Sequence, residues 1–169
     1  MKNVLEKLRG NNAELPARAS LRAIVLTGLS GGIVIAALGL MTQAVSLPLM
    51  LGSFGASSLL VFGYPDAPFS QPRNVVFGHV LASLIGLVFL WLFGPVWWAM
   101  GLALGTTIIA LMLTRTVHPP ASSNPIIIFL TQSSWSFLLL PTLLGALFIV
   151  AVAVVYNNSV RNEQYPRYW

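Results

Sequence analysis

Apolar residues along this chain run in long blocks, without the alternation that marks half-buried strands. Residues 24–40, 75–93, 96–113 and 137–156 are nearly free of charge. A hydrocarbon core about 30 Å thick takes roughly 20 residues of helix at about 1.5 Å per residue, so each block predicts a membrane-crossing helix. Two shorter apolar stretches, 47–64 and 119–131, lie between them and are rich in Gly, Ser and Pro. The pattern predicts an all-α membrane protein of six apolar segments, two of them short and interrupted.

Composition agrees with the pattern. The chain is 56% hydrophobic and 8% charged, where a soluble domain carries about 25% charged residues. It has no cysteine, which excludes disulfides, thiolate metal sites and a cysteine nucleophile. The formal charge of +5 comes from nine Lys and Arg against four acids. Those bases sit mostly in tails and turns, so they read as topology signals rather than as a nucleic-acid surface.

Charge also orients the chain. With six passes, Lys2, Lys7, Arg9, Arg18 and Arg22 share a side with Arg73, Arg115, Arg161 and Arg167, while the turns at 42–46, 94–95 and 132–136 hold no charge. If the short segments dipped and returned, Arg73 and Arg115 would fall on the other side, against the positive-inside bias. Trp91, Trp97, Trp98 and Trp135 gather at the uncharged face, as an interfacial belt does. The expectation is a cytoplasmic tail over 1–21, a transmembrane domain over 22–157 and a cytoplasmic tail over 158–169. Within the first tail, "NVLEKLRG" suggests a short amphipathic surface helix before a linker at 10–16, ahead of an uncleaved anchor rather than a signal peptide.

The two halves echo each other. "GSFGASSLLVF" (52–62) and "HPPASSNPIIIF" (118–129) share Ala-Ser-Ser followed by an aliphatic run ending in Phe. Each half, about 22–93 and 94–157, reads as long helix, interrupted helix, long helix. Three passes per half make the second half an inverted repeat of the first. Paired Gly/Pro-interrupted segments in such repeats point to a transport site at the bilayer midplane.

Pro119 and Pro120 bar regular helix before them, and Asn124-Pro125 reads as a cap followed by proline at the first helical position. A half-helix is therefore expected from about 124 to 131. In the other half, Gly52 and Gly55 loosen the backbone and Ser57 or Ser58 caps a half-helix through Phe62. Two such N-termini, pointing inward from opposite sides, present free N–H groups and partial positive charge that attract an anion. The candidate anion-binding residues are Ser57, Ser58, Ser122, Ser123 and Asn124, with no midmembrane Lys or Arg.

At these same residues the chain resembles the HPP family of integral membrane proteins, through "GSFGAS", "QPRN" and "HPP" across about 52–120. Bacterial and plastid members of that family are associated with nitrite transport, so the resemblance implies a small-anion transporter or channel, nitrite first and nitrate behind it. "ASSNP" departs from the small Gly/Ala/Thr residues that many relatives carry after HPP, which puts selectivity in doubt. Some relatives carry an appended regulatory domain, which this chain is expected to lack.

Other residues have plainer readings beside the functional one. Arg115 anchors topology or draws anions to the break, and Arg73 in "QPRN" is similar, with Asp66 as its balancing charge. His118 shuttles protons or hydrogen-bonds the broken backbone. His79, about one turn into its helix, is a functional candidate as a titratable group within a membrane segment, or else a plain interfacial histidine. The alternatives to a transporter are a non-transporting scaffold or assembly protein, and an intramembrane enzyme. For the enzyme, Ser57 with His118 would be a nucleophile and base without an orienting acid; no enzymatic activity and no cofactor or metal is expected. Gly28/Gly32 and Gly101/Gly105 permit close helix contacts, within a protomer or in a homo-oligomer. The expected partners are membrane lipid and a small inorganic anion, in a bacterial inner membrane with both termini cytoplasmic.

Overall fold

The computed structural model describes residues 13–46 and 48–169. The surface helix expected in "NVLEKLRG" and the basic residues Lys2, Lys7 and Arg9 lie outside them, as does part of the 10–16 linker. Six α-helices follow one another among the described residues, with no strand: α1 Leu21–Val45, α2 Ser53–Gly63, α3 Pro72–Phe93, α4 Trp97–Leu113, α5 Asn124–Thr131 and α6 Leu144–Tyr156. α1, α3 and the composite Trp135–Arg161 are long and apolar enough to cross a membrane, while α2 and α4 are shorter apolar helices. The protein is an all-α membrane protein.

Local chemistry sets the helix ends. The Ser20 hydroxyl accepts from the Ala23 N–H at 3.2 Å and starts α1, satisfying one of the free donors of a first turn. α3 opens on Pro72, whose missing N–H costs nothing there. It stops at Gly94, which takes a φ of 73° that other residues rarely adopt.

Burial ranks the helices. α1 buries only Val34 and Leu38, and it packs chiefly on α2. α3 is central and touches α4, α5 and α6. The main core joins α2, α3, α5 and α6 through Phe54, Phe62, Val75, Ile128 and Ile149. Two glycines of α3 make this packing possible. A Cβ at Gly86 would lie 2.8 Å from Pro125 Cα, and one at Gly78 would lie 3.0 Å from both His118 Cβ and the Thr116 carbonyl. By contrast, a Cβ at Gly28, Gly32, Gly101 or Gly105 would meet nothing within 4 Å. Gly101 and Gly105 are exposed, Gly28 and Gly32 line an open hollow beside α2 with Gly55 and Ser58, and neither pair makes a close helix contact within the protomer.

The structure corrects three local expectations. The apolar block 137–156 is not one helix: it breaks at Leu140, whose φ and ψ are −126° and 117°, before Pro141 and the run into α6. Asp66 pairs with Arg167 rather than balancing Arg73. α2 begins at Ser53, not at a cap from Ser57 or Ser58, because the chain already turns into helix at Gly52.

The C-terminal tail is tied to the loop between α2 and α3. The Tyr165 hydroxyl donates to the Ser70 carbonyl at 2.7 Å, and the Arg167 N–H donates to Gln71 Oε1 at 2.7 Å. Burial pushes the Tyr165 phenol above its ordinary pKa, which keeps its proton in place for that bond.

Candidate functional site

The two short helices meet at their first residues. Ser53 opens α2 and Asn124 opens α5, and the Ser53 hydroxyl donates to Asn124 Oδ1 at 2.9 Å. Each helix is preceded by chain that is not α-helical, which brings both N-termini into the protein interior. Before α5 that chain is a tight 3-10 turn, Pro119–Ser123, as two consecutive prolines require.

Asn124 is the hub. As expected, α5 runs from Asn124 to Thr131, but Ser123 holds the cap position and makes no capping bond. The Asn124 side chain reaches across the bundle instead. Its Nδ2 donates to Ser83 Oγ at 2.9 Å and contacts His79 Nδ1 at 3.1 Å. Ser83 continues to the Thr142 hydroxyl at 3.0 Å.

Ser57 forms a second hub one turn into α2. Its Oγ lies 2.9 Å from His79 Nε2 and 2.8 Å from His118 Nε2, and 3.1 Å from the Ser53 carbonyl. His118 Nδ1 lies 2.6 Å from the Phe69 carbonyl. Ser57, His79, Ser83, His118, Asn124 and Thr142 are all 0% exposed. Polar groups so deeply buried are costly unless they are paired, and these pair with one another across four segments of chain.

Of the residues predicted from sequence, Ser57, His118 and Asn124 converge here and the others do not. Ser58 turns toward α1, where its Cβ sits 3.6 Å from the position of a Cβ on Gly31, and its hydroxyl is buried without a partner. Ser122 and Ser123 donate to the Pro119 and Pro120 carbonyls at 2.7 and 2.8 Å and brace the 3-10 turn. Arg73 donates to the carbonyls of Arg115 at 2.9 Å and Thr114 at 3.2 Å, and so closes the C-terminus of α4. Arg115 follows that helix in the left-handed region, at a φ of 55°, with an exposed side chain.

Sequence reasoning missed Ser53, Ser83 and Thr142, and weighed His79 without assigning it to the site. His79 is fully buried, and its neighbour Gly78 lets the 116–121 segment pack closely against α3. A signal was present: Gly78, His79, Ser83 and Gly86 interrupt an apolar block at near-helical spacing, which marks one face of α3.

Hollows also open on the surface of the bundle. One, of about 360 Å³, is lined by Leu51 and Gly52 ahead of α2 together with Ser134 and Ser136. Another, of about 350 Å³, is a largely apolar groove along α3, lined by Phe77, Val80, Leu81 and Leu84 with Arg73, Thr114 and Thr116 at its end.

Fold and site define a helical membrane protein built around a buried polar cluster at the meeting of two short helices. The chain belongs to the HPP family, whose transmembrane region matches residues 16–166. It is similar to two transmembrane proteins of Dictyostelium discoideum. One is 31% identical over 166 residues, covering 91% of this chain and 53% of that relative. The other is 33% identical over 131 residues, covering 73% and 46%. The chain thus spans about half the length of these curated relatives. No solved structure matches it.

Proposed function

We propose that this protein is a transporter or channel for a small monovalent anion, nitrite first and nitrate behind it, with both termini on the cytoplasmic side and no enzymatic role. The observation that carries the reading is the meeting of the α2 and α5 N-termini through Ser53 and Asn124. Each terminus contributes about 0.3–1 kcal/mol toward a neighbouring negative charge when exposed and up to about 2 when partly buried. Two of them, flanked by hydroxyl and amide donors, retain a monovalent ion weakly enough to release it. In this reading the Ser53–Asn124 bond is the closed form. The anion takes the place of Asn124 Oδ1 as acceptor of the Ser53 hydroxyl, and the hollow lined by Leu51 and Gly52 is its approach. The exposed Gly101 and Gly105 face of α4 suits packing between copies in a homo-oligomer.

Flux into proteoliposomes across a panel of nitrite, nitrate, formate and chloride tests the proposal. Selective entry above protein-free vesicles supports it, and no entry for any of them ends it.

One observation favours a second reading. Ser57 Oγ and His118 Nε2 are 2.8 Å apart, as in a nucleophile–base pair. The Phe69 carbonyl takes the orienting position, but His79 occupies the same hydroxyl and Ser57 is fully buried. Covalent labelling of Ser57 by a fluorophosphonate would revive the enzyme; absence of labelling on the folded protein removes it.

A further inference from the structure

The hydrogen bonds of Ser57 and the two histidines can be counted, and the count comes out one hydrogen short. The Phe69 carbonyl only accepts, so His118 carries hydrogen on Nδ1, and a neutral ring then has a bare Nε2. Asn124 Nδ2 only donates, so His79 Nδ1 is bare and its hydrogen is on Nε2. In the neutral protein, Ser57 therefore accepts from His79 and donates to His118. Its contact with the Ser53 carbonyl, at 3.1 Å, then has no hydrogen. One added proton on His118 Nε2 changes this. Both imidazoles then donate to the two lone pairs of Ser57, the hydroxyl hydrogen turns to the Ser53 carbonyl, and each contact holds one hydrogen.

A second proton has no such place. It would sit on His79 Nδ1, against the Asn124 amide, and would put two cations on rings whose centroids are 5.0 Å apart. The surroundings add no other charge to the rings. α2 contributes the Ser57 hydroxyl and the edge of Phe54, the 68–70 turn contributes the Phe69 carbonyl, and α5 contributes Asn124. Arg73 is turned onto the end of α4. Among the described acids, Asp66 pairs with Arg167 and Glu163 with Arg161, and Glu14 lies in the exposed N-terminal stretch.

We propose that Ser57, His79 and His118 form a one-proton site that loads together with the anion, making the protein a proton–anion symporter. This rests on the anion reading above and supplies its coupling ion. The site lacks a fixed midmembrane cation, and the bound proton provides one a single helical turn from Ser53. Proton and anion then enter as a neutral pair, which suits passage through a medium where an unpaired charge is costly.

Two measurements separate this proposal from the anion reading. The chain has two histidines, so the untagged protein labelled with 15N-histidine gives ring-nitrogen signals from those two residues alone. Solid-state NMR in bilayers is expected to show opposite neutral tautomers, protonated at Nδ1 in His118 and at Nε2 in His79. Lowering the pH from about 8 to about 5, the interval in which imidazoles titrate, is expected to produce one imidazolium and not two. Identical tautomers, no imidazolium, or two imidazolium rings in that interval would overturn the site.

The second measurement follows lumenal pH and anion entry together in proteoliposomes driven by a nitrate or nitrite gradient, with protein-free vesicles subtracted. One proton per anion is expected. In His118→Gln and His79→Gln the ratio falls toward zero whatever anion rate remains. Anion entry without protons would overturn the coupling and leave the anion reading intact. No anion entry would sink the anion reading and the symport with it, while the NMR result still decides whether the one-proton site exists.

Discussion

The two segments that carry Ala-Ser-Ser look alike on paper and fold differently. In the first, Ala56-Ser57-Ser58 lies inside α2, one turn beyond its start, and Ser57 is bound by two imidazoles. In the second, Ala121-Ser122-Ser123 lies before α5 in the 3-10 turn, and both hydroxyls serve neighbouring proline carbonyls. The residues that meet across the halves are Ser53 and Asn124, which open the two helices. The difference is about one helical turn, and its cause is proline. Pro119 and Pro120 postpone the second α-helix until after the serines, whereas Gly52 and Ser53 let the first begin before them. A shared tripeptide therefore marks where two segments are interrupted, without making their residues equivalent.

The largest effect expected from disturbing this comparison is at Asn124. Asn124→Leu leaves the Ser53 and Ser83 hydroxyls and His79 Nδ1 without their amide partner. Buried polar groups so abandoned cost about 1–3 kcal/mol each, so thermal unfolding in detergent should show a loss of several degrees or failure to assemble. Ser122→Ala, in the matching tripeptide, should move the midpoint very little. Comparable losses in both would mean that the 3-10 serines matter as much as the hub.

Next in size is the contact that seats the second segment on α3. Gly86→Val drives a methyl group into Pro125, and overpacking of this kind costs about 1–3 kcal/mol. Gly101→Val, facing open space, should leave the monomer's unfolding midpoint unchanged and alter only the oligomer profile on size exclusion, if that face packs between copies.

The two arginines beside the second segment should separate by measurement. Arg73→Ala removes two bonds to the end of α4, each worth about 0.5–1.5 kcal/mol, and should lower stability. Arg115→Gln should leave stability near wild type and weaken anion flux more than Arg161→Gln, which loses the same charge elsewhere. Equal, negligible flux effects would leave Arg115 as a topology anchor.

Smallest in energy, but decisive for the inverted arrangement, is sidedness. Single cysteines at Ser46 and Ser134 should label from outside the cell, and at Tyr64 and Ser159 only after permeabilisation. All four positions are exposed. Labelling of Tyr64→Cys from outside would end the six-pass model.

Much of this protein is legible in one dimension. Apolar block length decides that lipid is its solvent, because only helices satisfy their own backbone there. Proline and glycine placement decides which segments are interrupted, and the span from Asn124 to Thr131 follows from local backbone chemistry alone. The polar cluster is another matter. His79, Ser83 and Thr142 belong to the site because α3 sits at the centre with Gly78 and Gly86 against the second segment. The break at Leu140 and Pro141 also depends on neighbours, since a proline inside an apolar run kinks or is absorbed according to what packs beside it. Sequence periodicity names a face of a helix. Which face meets which is set by close packing between elements distant along the chain, and that alone brought Ser57, His79 and His118 together.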